Sequence, residues 1–271
     1  MESTFSNDIS AKMSQRLITI ADMLKASDDI KAPEVVADVG CDHGYVSIYL
    51  IQQNIARSCL AMDVRKGPLE GAFNNIRDYG LEDRITIRLS DGLTALQKDE
   101  ADALVIAGMG GKLMLRILND GKVKELGIKQ AVLQPQSDIQ EFREYLRNEG
   151  YVIADEKIIL DEGKYYFPMK VLIDPEAFSY SNRENVLHRV QKDLSDICNC
   201  EKEQSHRICN RFGEYNILRK DVFLKDFCQH GVEVCNTIMK SLDKTAHADR
   251  FMEVEAELSD LQIVLKYYEK G

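Results

Sequence analysis

The chain of 271 residues is acidic, with 35 Lys and Arg against 45 Asp and Glu and a formal net charge of −10. Neither half is basic overall, so a nucleic-acid-binding role requires a local basic patch, because phosphate contacts supply much of the affinity of such proteins. The longest apolar runs are too short to cross a bilayer, and the first residues lack the features of a secretory signal. Seven scattered cysteines predict a reducing, cytoplasmic setting and not a disulfide framework.

Strand-like apolar runs alternate with helical stretches through residues 1 to 174, which predicts an α/β domain with a mostly parallel sheet. The predicted strands are Val35–Val39, Ser58–Met62, Ile85–Leu89, Ala103–Ala107, Gln130–Leu133, Tyr151–Leu160 and Tyr165–Ile173. The last two flank a turn-rich tetrapeptide at 161–164 and are expected to form an antiparallel hairpin that closes the sheet. Five parallel strands and a terminal hairpin make the seven-stranded, Rossmann-like sheet of class I methyltransferases.

The segment Val35–Tyr45 is the most informative part of the chain, because it joins a buried strand to a helix through an acidic, glycine-containing turn. Open α/β sheets bind nucleotide-like ligands at such turns. Gly40 and Gly44 allow close approach of a ligand, but their spacing is not that of a dinucleotide-binding loop. Asp38 and Asp42 repel phosphate, so the loop favours a cationic ligand without phosphate, such as S-adenosylmethionine, over NAD.

Two further strand ends carry acids that suit an adenosine moiety. Asp63 follows the second strand, where an acid can accept both hydroxyls of a ribose; a solvated loop acid is the alternative. Asp91 and Gly92 follow the third strand, where the acid can accept the adenine amino group and the glycine clears space for the ring. A plain turn is the alternative there.

The fourth and fifth predicted strands end in glycines and amides. Glycines are costly in a folded chain unless a close approach requires them, so Gly108, Met109 and Gly110 are expected beside the methyl donor. Gln134 and Gln136 bracket a proline at the same edge and are expected to present hydrogen-bonding groups. A polar helix cap is the alternative for this stretch.

Residues 175 to 271 are predicted to form a helical C-terminal domain, with blocks near 182–206, 214–244 and 248–269. The last two blocks favour a helical hairpin or short coiled coil. The sequence leaves open whether the protein is a monomer or a weak dimer. Cysteines and a histidine between positions 198 and 209 are spaced unlike zinc ligands, so no metal is expected.

An ordered set of short motifs resembles the TrmK family, the bacterial tRNA (adenine-22-N1)-methyltransferases. The similar segments are Arg16-Leu17 with Ile20-Ala21, Asp38–Tyr45, Asp91-Gly92-Leu93, Ile106–Gly111, Leu133–Gln136, Asn148–Tyr151 and Arg211-Phe212-Gly213. The chain departs from the family pattern at Cys41, Gly44, Val46-Ser47 and Gln136. The longer side chain of Gln136, where the family favours Asn, would shift any contact to the target base.

The resemblance implies methyl transfer from S-adenosylmethionine to N1 of an adenine, A22, in the D-arm region of tRNA. Adenine N1 lies on the Watson–Crick edge, so the base must be unpaired or flipped out. The methyl group already carries sulfonium activation, so the protein mainly aligns the reactants. N1 carries a lone pair, so no strong base is needed before attack. Asp42 or His43 is a candidate acceptor for the N6 proton, and Gln134 and Gln136 complete the candidate catalytic set. A helix-start hydrogen bond is the alternative role of His43.

The same resemblance assigns the helical tail a part in holding tRNA. The candidate tRNA contacts are Arg16, Lys112, Arg116, Arg207, Arg211, Arg219 and Lys220. The cations between positions 207 and 225 fit a solvated helix face equally well, because the tail is net acidic. A methyltransferase acting on rRNA, protein or a small molecule stays open as an alternative, as does a non-catalytic RNA-binding protein of the same fold.

Overall fold

The structure, a computed structural model, describes residues 8–178, 185–245 and 247–270. The chain divides into two compact units, Met1–Asp155 with Leu160–Arg183, and Glu156–Ile159 with Glu184–Gly271. The sequence places a single boundary after residue 174, and it gives no sign that the short segment Glu156–Ile159 belongs with the C-terminal helices.

A mixed sheet organises the first unit. The strands are β1 (Val35–Val39), β2 (Ser58–Asp63), β3 (Ile85–Leu89), β4 (Ala103–Met109), β5 (Gln130–Pro135), β6 (Val152–Glu156), β7 (Ile159–Asp161), β8 (Lys164–Tyr166) and β9 (Met169–Leu172). Within the described residues, seven of them form one sheet in the order β3-β2-β1-β4-β5-β9-β6. β1 to β5 are parallel, and β9 runs antiparallel to β5. The predicted Rossmann-like, seven-stranded fold class is confirmed.

The two long strands predicted at the end of the sheet are each divided in two, which corrects the sequence-based hairpin. Tyr151–Leu160 yields β6 and part of β7, and Tyr165–Ile173 yields β8 and β9. β7 and β8 form a separate two-stranded ribbon, while β9 lies between β5 and β6. Pro168 separates β8 from β9, because proline has no backbone N–H to donate to a ladder.

Helices connect the strands and cover the sheet. They are α1 (Gln15–Asp22), α2 (Tyr45–Gln52), α3 (Lys66–Asp78), α4 (Gly111–Asp120) and α5 (Ile139–Asn148). The largest part of the apolar core joins Val36 of β1 to Ile48 and Ile51 of α2 and Ile76 of α3, all of them at most 1% exposed. Burying each such side chain contributes about 1.5–3 kcal/mol, which anchors the strand ends that carry the candidate site.

The second unit is helical, as predicted. Its helices are α6 (Val186–Cys198), α7 (Lys202–Phe212), α8 (Glu214–Leu218), α9 (Val222–Ser241) and α10 (Ala248–Lys270). The first predicted block is interrupted at Asn199 and the second at Lys220, both of which have positive φ; positions 182–184 of the first block lie outside the described residues. α9 packs on α10, and a Cβ on Gly231 would lie 2.9 Å from Leu261.

Candidate active site

A cleft of about 620 Å³ opens at the carboxyl ends of the parallel strands. The strand order places Asp91, Asp63, Gly40, Gly108 and Gln136 in that sequence from one end of the sheet edge to the other. Open α/β sheets bind their ligands in this crevice. The predicted site residues that line it are Arg16, Asp38, Gly40, Asp42, His43, Asp63, Asp91, Gly92, Gly108, Met109, Arg116 and Gln136.

The loop after β1 is fixed to β2 through its backbone. The amides of Gly40 and Cys41 both donate to the carbonyl of Met62, at 2.8 and 2.9 Å. Gly40 has a φ of +77°, and a Cβ at this position would clash with Cε of Met109. Glycine therefore serves both the left-handed backbone conformation and the close passage of the β4 end.

Asp38 of β1 lines the cleft although it is only 4% exposed. Its Oδ2 accepts a hydrogen bond of 2.8 Å from Oγ of Ser47. Burial raises the pKa of Asp38 to about 6, and the Ser47 hydrogen bond opposes that rise. Burial has the larger effect on this pKa and favours the protonated form. A cationic ligand that reaches the carboxylate would instead favour the ionised form.

Asp63 ends β2 and is also 4% exposed. Its Oδ1 accepts a hydrogen bond of 2.9 Å from the amide of Arg65, and its Oδ2 accepts a longer one of 3.4 Å from the amide of Asp42. Nε of Arg65 lies 3.5 Å from Oδ1. These donors fix the orientation of the carboxylate and leave lone pairs for ligand hydroxyls.

Asp91 and Gly92 follow β3 at the far end of the cleft. The Asp91 side chain is 66% exposed, and its Oδ1 lies 3.7 Å from Nη2 of Arg116. Such an exposed ion pair contributes little by itself, so a ligand can compete for either partner. Gly92 has a φ of +57°, and a Cβ on it would approach Ile117 to 3.0 Å.

Asp42 and His43 lie exposed at the mouth of the cleft, with Nε2 of His43 3.8 Å from Oδ2 of Asp42. The imidazole packs against α3, where a Cβ on Gly71 would lie 3.0 Å from Nδ1. Nδ2 of Asn75 donates to the His43 carbonyl at 2.9 Å, and the ring stacks on Tyr45 with centroids 5.7 Å apart. Contacts to neighbouring elements therefore hold the pair.

The end of β4 contains a β-bulge. Ala107 pairs with Gln134 and Met109 with Pro135, which leaves Gly108 between them with a φ of +78°. Bulges beside active sites redirect the backbone. This one presents Gly108 at the surface of the cleft without a side chain.

Two predicted residues on the next segment lie outside the cleft lining. Gly110 precedes α4 as its N-cap, and a Cβ there would lie 3.2 Å from Oγ of Ser137. Lys112 is 87% exposed, and its Nζ lies 3.9 Å from Oδ1 of Asp138. Gly110 thus serves the packing of α4 on the turn before α5, while Lys112 points to solvent beside it.

Gln134 and Gln136, expected to act together, have different surroundings. Gln134 is fully buried, and its Oε1 accepts a hydrogen bond of 2.8 Å from Nη1 of Arg16. Its own amide donates to the carbonyl of Pro135 at 3.0 Å. The geometry corrects the expectation of direct substrate contact, because Gln134 touches Arg16 and does not line the cleft. Gln136 is exposed at the cleft edge, and its backbone amide donates to Met109 at 2.8 Å.

In the helical unit, the predicted tRNA contacts Arg207 and Arg211 neutralise a buried acid. Arg207 donates to both carboxylate oxygens of fully buried Asp260, at 2.8 and 2.6 Å. Nη1 of Arg211 lies 3.5 Å from the same carboxylate. This pairing differs from the alternative of a purely solvated helix face, because two of the cations hold a buried carboxylate of their own unit.

Arg219 and Lys220 also contact groups of their own unit. Nη1 of Arg219 donates to the Glu156 carbonyl at 2.7 Å, and its guanidinium lies 5.4 Å from the centre of the Tyr215 ring. Nζ of Lys220 lies 5.5 Å from the centre of the Tyr267 ring. Neither cation is buried, so both keep access to solvent.

Sequence reasoning missed part of the cleft. The additional lining residues include Lys12, Leu17, Tyr45, Val64, Arg65, Ser90 and Leu113. Val64 carried a signal in the sequence, because it directly follows the strand-end acid Asp63. In the structure its side chain is 59% exposed. Asp161 and Tyr166, which contact Arg16, are more distant in the chain, and no local pattern marks them.

The described residues contain no group of three or more His, Cys, Asp and Glu that could hold a metal ion. All seven cysteines are buried and in the thiol form. Within residues 8–178, 185–245 and 247–270, no helix is long and apolar enough to cross a membrane.

Comparison with known proteins identifies relatives of the first unit. Residues 13–169 match the family model described as a methyltransferase domain. Over 155 residues the chain is 37% identical to the tRNA (adenine(22)-N(1))-methyltransferase of Bacillus subtilis. That match covers 57% of this chain and 63% of the relative, so it spans less than two thirds of the curated protein.

Solved structures resemble the chain over most of its length. The crystal structure of the B. subtilis m1A22 tRNA methyltransferase TrmK superposes with a TM-score of 0.71 at 26% identity, covering 93% of this chain and 98% of that one. TrmK of M. capricolum, solved with S-adenosylhomocysteine, has a TM-score of 0.67 at 18% identity, with 94% and 98% coverage, and shows the shared fold. The chain belongs to the methyltransferase-domain family and, within it, to the TrmK family that its motifs resemble.

Proposed function

We propose that this protein transfers a methyl group from S-adenosylmethionine to N1 of an adenine in tRNA, with A22 of the D-arm region as the target. The observation that carries the proposal is the row of Asp91, Asp63 and Asp38 along one sheet edge, facing a cleft that Gly40 and Gly108 line without side chains. The 37% identity to a tRNA (adenine(22)-N(1))-methyltransferase supports the choice of substrate.

The cleft residues fit the proposed cofactor. Asp63, oriented by two backbone amides, would accept the ribose hydroxyls, and the exposed carboxylate of Asp91 would accept the adenine amino group. Asp38, whose pKa burial raises to about 6, would favour the cationic end of the molecule. Gly40 and Gly108 both have positive φ and line the cleft without a side chain. We therefore place the adenosine over β2 and β3, and the methionine over β1 and β4.

S-adenosylmethionine supplies a methyl group already activated on a sulfonium, so the remaining task of the protein is alignment. Gln136 lies at the β5 end, next to the proposed methyl position, where its exposed amide can hydrogen-bond the edge of a flipped adenine. Asp42 or His43, held at the cleft mouth, would accept the N6 proton as methylation makes the base cationic. Asp42→Ala and His43→Ala each test this role, and a kcat near that of the wild type in both would exclude it.

The tRNA backbone needs solvent-exposed cations, because phosphate contacts supply much of the affinity. Lys112, at 87% exposure, and Arg116, at 58%, lie on α4 beside the β4 end. Arg219 and Lys220 are the candidates of the helical unit, because Arg207 and Arg211 pair with the buried carboxylate of Asp260. We place the protein in the cytoplasm with its tRNA, in keeping with seven cysteines in the thiol form.

Methyl transfer from labelled S-adenosylmethionine to unmodified tRNA, followed by nucleoside analysis, tests the proposal. We expect 1-methyladenosine, and we expect it to disappear when A22 is replaced by G. Cofactor binding without any change in a tRNA nucleoside would leave the fold assignment intact and remove the substrate, in favour of rRNA, protein or a small molecule. Absence of cofactor binding would favour a non-catalytic RNA-binding protein.

A further inference from the structure

Arg16 is held by three elements that are far apart in the chain. Nη1 donates to Oε1 of Gln134 in β5 at 2.8 Å. The guanidinium carbon lies 4.9 Å from the centre of the Tyr166 ring in β8. Nε lies 3.8 Å from Oδ2 of Asp161 in β7, and both side chains are 19% exposed. These contacts define both the plane and the position of the guanidinium.

Arg16 differs from the cations at the rim of the cleft in its burial. Arg65 is 67% exposed and Arg116 is 58% exposed, against 19% for Arg16. Within residues 8–178, Nη2 of Arg16 has no hydrogen-bond partner, and Arg16 lines the cleft. A cation fixed on three sides, with donors left over and little access to water, is suited to binding an anion.

The position of Arg16 indicates which anion it meets. A Cβ on Gly108 would lie 4.0 Å from Nη1 of Arg16 and 3.8 Å from Nε2 of Gln136. Arg16 therefore lies over β4 and β5, at the end of the cleft away from Asp63 and Asp91. Two anionic groups can reach this end: the carboxylate of the methionine moiety and the phosphate of the target nucleotide.

We propose that Tyr166 and Asp161 are positioning residues, and that the β7–β8 ribbon holds Arg16 as the anion-binding group of the cleft. The proposal rests on the proposed function, because it takes the cofactor and the nucleotide from there. The Tyr166 ring fixes the guanidinium plane by a cation–π contact. Asp161 is too far away for a direct hydrogen bond and acts through its charge. The ribbon thus has a role in the site that the sequence does not indicate.

Calorimetric titration of the full chain with S-adenosylmethionine and with decarboxylated S-adenosylmethionine tests the proposal. Tyr166→Leu removes the ring, Tyr166→Phe keeps its face, and Lys164→Ala is the control on the same strand. We expect Tyr166→Leu to weaken S-adenosylmethionine binding about fivefold or more, with no change for the decarboxylated compound. Tyr166→Phe should restore the wild-type affinity, and Lys164→Ala should not change it.

The two sources of the anion give different results. If the phosphate is the partner, Tyr166→Leu raises the KM for tRNA about fivefold or more while both cofactor affinities stay unchanged. Equal loss of affinity for both cofactor compounds, or no change in either affinity or in the KM for tRNA, would overturn the proposal. A wild-type protein that binds neither cofactor compound would instead refute the proposed function, so the two failures are distinguishable.

Discussion

Nη1 of Arg16 donates a hydrogen bond of 2.8 Å to Oε1 of Gln134, a residue 118 positions later in the chain. Arg16 lines the cleft, whereas Gln134 is fully buried beneath it. The pair joins helix α1 to strand β5. Gln134 therefore positions Arg16 and does not itself contact the cleft.

Gln134→Leu tests that relationship. Leucine has a similar volume but no acceptor, so Nη1 of Arg16 loses its partner at a cost of about 1–3 kcal/mol. We expect kcat/KM to fall about tenfold through KM, with kcat within about twofold of wild type, in steady-state methyl-transfer assays. A kcat that falls tenfold at unchanged KM would instead show that Gln134 contributes to the chemical step itself.

Gly40→Ala should weaken cofactor binding for a steric reason. The added Cβ would displace the Met109 side chain beside the cleft, on top of the strain of a φ of +77°. Gly80 is the matched control, because it has a φ of +64° and no atom within 4 Å of the added Cβ. We expect a loss of thermal stability in both variants, larger in Gly40→Ala, and a loss of S-adenosylmethionine affinity of about tenfold only in Gly40→Ala. Equal cofactor affinities in the two variants would contradict the placement of Met109 over the loop.

Asp63→Asn tests the ribose contact. The change keeps the shape of the side chain and removes the charge that makes it a strong acceptor of two hydroxyls. Hydrogen bonds to a charged group contribute about 1.5–3 kcal/mol, so calorimetry should show cofactor binding weakened about tenfold or more. Asp78→Asn, an exposed acid outside the cleft, is the control. An unchanged affinity in Asp63→Asn would remove Asp63 from the cofactor site.

Asp38 should make stability and cofactor binding respond to pH in opposite directions. Its pKa rises from 3.8 in the unfolded chain to about 6 in the fold. The fold therefore favours the protonated form of Asp38. Protonated Asp38 contributes about 3 kcal/mol to the free energy of unfolding, at 1.36 kcal/mol per pKa unit. This contribution is present below pH 4 and is lost as the pH rises through about 6. A cationic ligand prefers the ionised form, so its affinity should rise between pH 5 and 7.

Calorimetry at pH 5.5, 6.5 and 7.5, with Asp38→Asn as the comparison, measures this dependence. We expect the affinity of the wild type for S-adenosylmethionine to increase with pH, and that of Asp38→Asn to be lower and nearly flat. Thermal unfolding of the ligand-free variant at pH 7.5 should occur at a higher temperature than that of the wild type. An equally steep rise of affinity with pH in both proteins would assign the dependence to another group.

Arg207→Met should destabilise the helical unit more than it weakens tRNA binding. Removing Arg207 leaves the buried carboxylate of Asp260 without its two-pronged partner. Breaking such a pair costs about 3–5 kcal/mol when fully buried, and less here because Arg207 is 37% exposed. We expect a lower Tm in thermal unfolding, with Lys225→Met, an exposed cation, as the control of equal charge change. A wild-type Tm combined with a raised KM for tRNA would restore Arg207 as a substrate contact.

The strands of the sheet were predictable because buried parallel strands are continuous apolar runs, and β1 and β3 were placed to the residue. The acids and glycines that line the cleft were predictable for a related reason, since each lies at or directly after the end of such a run and parallel strands bring their ends to one edge. The split of Tyr151–Leu160 and Tyr165–Ile173 was harder to predict, because a strand that changes partners keeps the same apolar composition.

The sequence by itself determined the fold class, the family, and the row of Asp38, Asp63 and Asp91, because all of these follow from local order along the chain. Only the tertiary structure decided which cations face the cleft and which are used elsewhere. Arg16 is directed there by Gln134 and the β7–β8 ribbon, while Arg207 is tied to Asp260. The charge of a side chain is written in the sequence, but its availability to a ligand depends on partners that folding brings from distant positions.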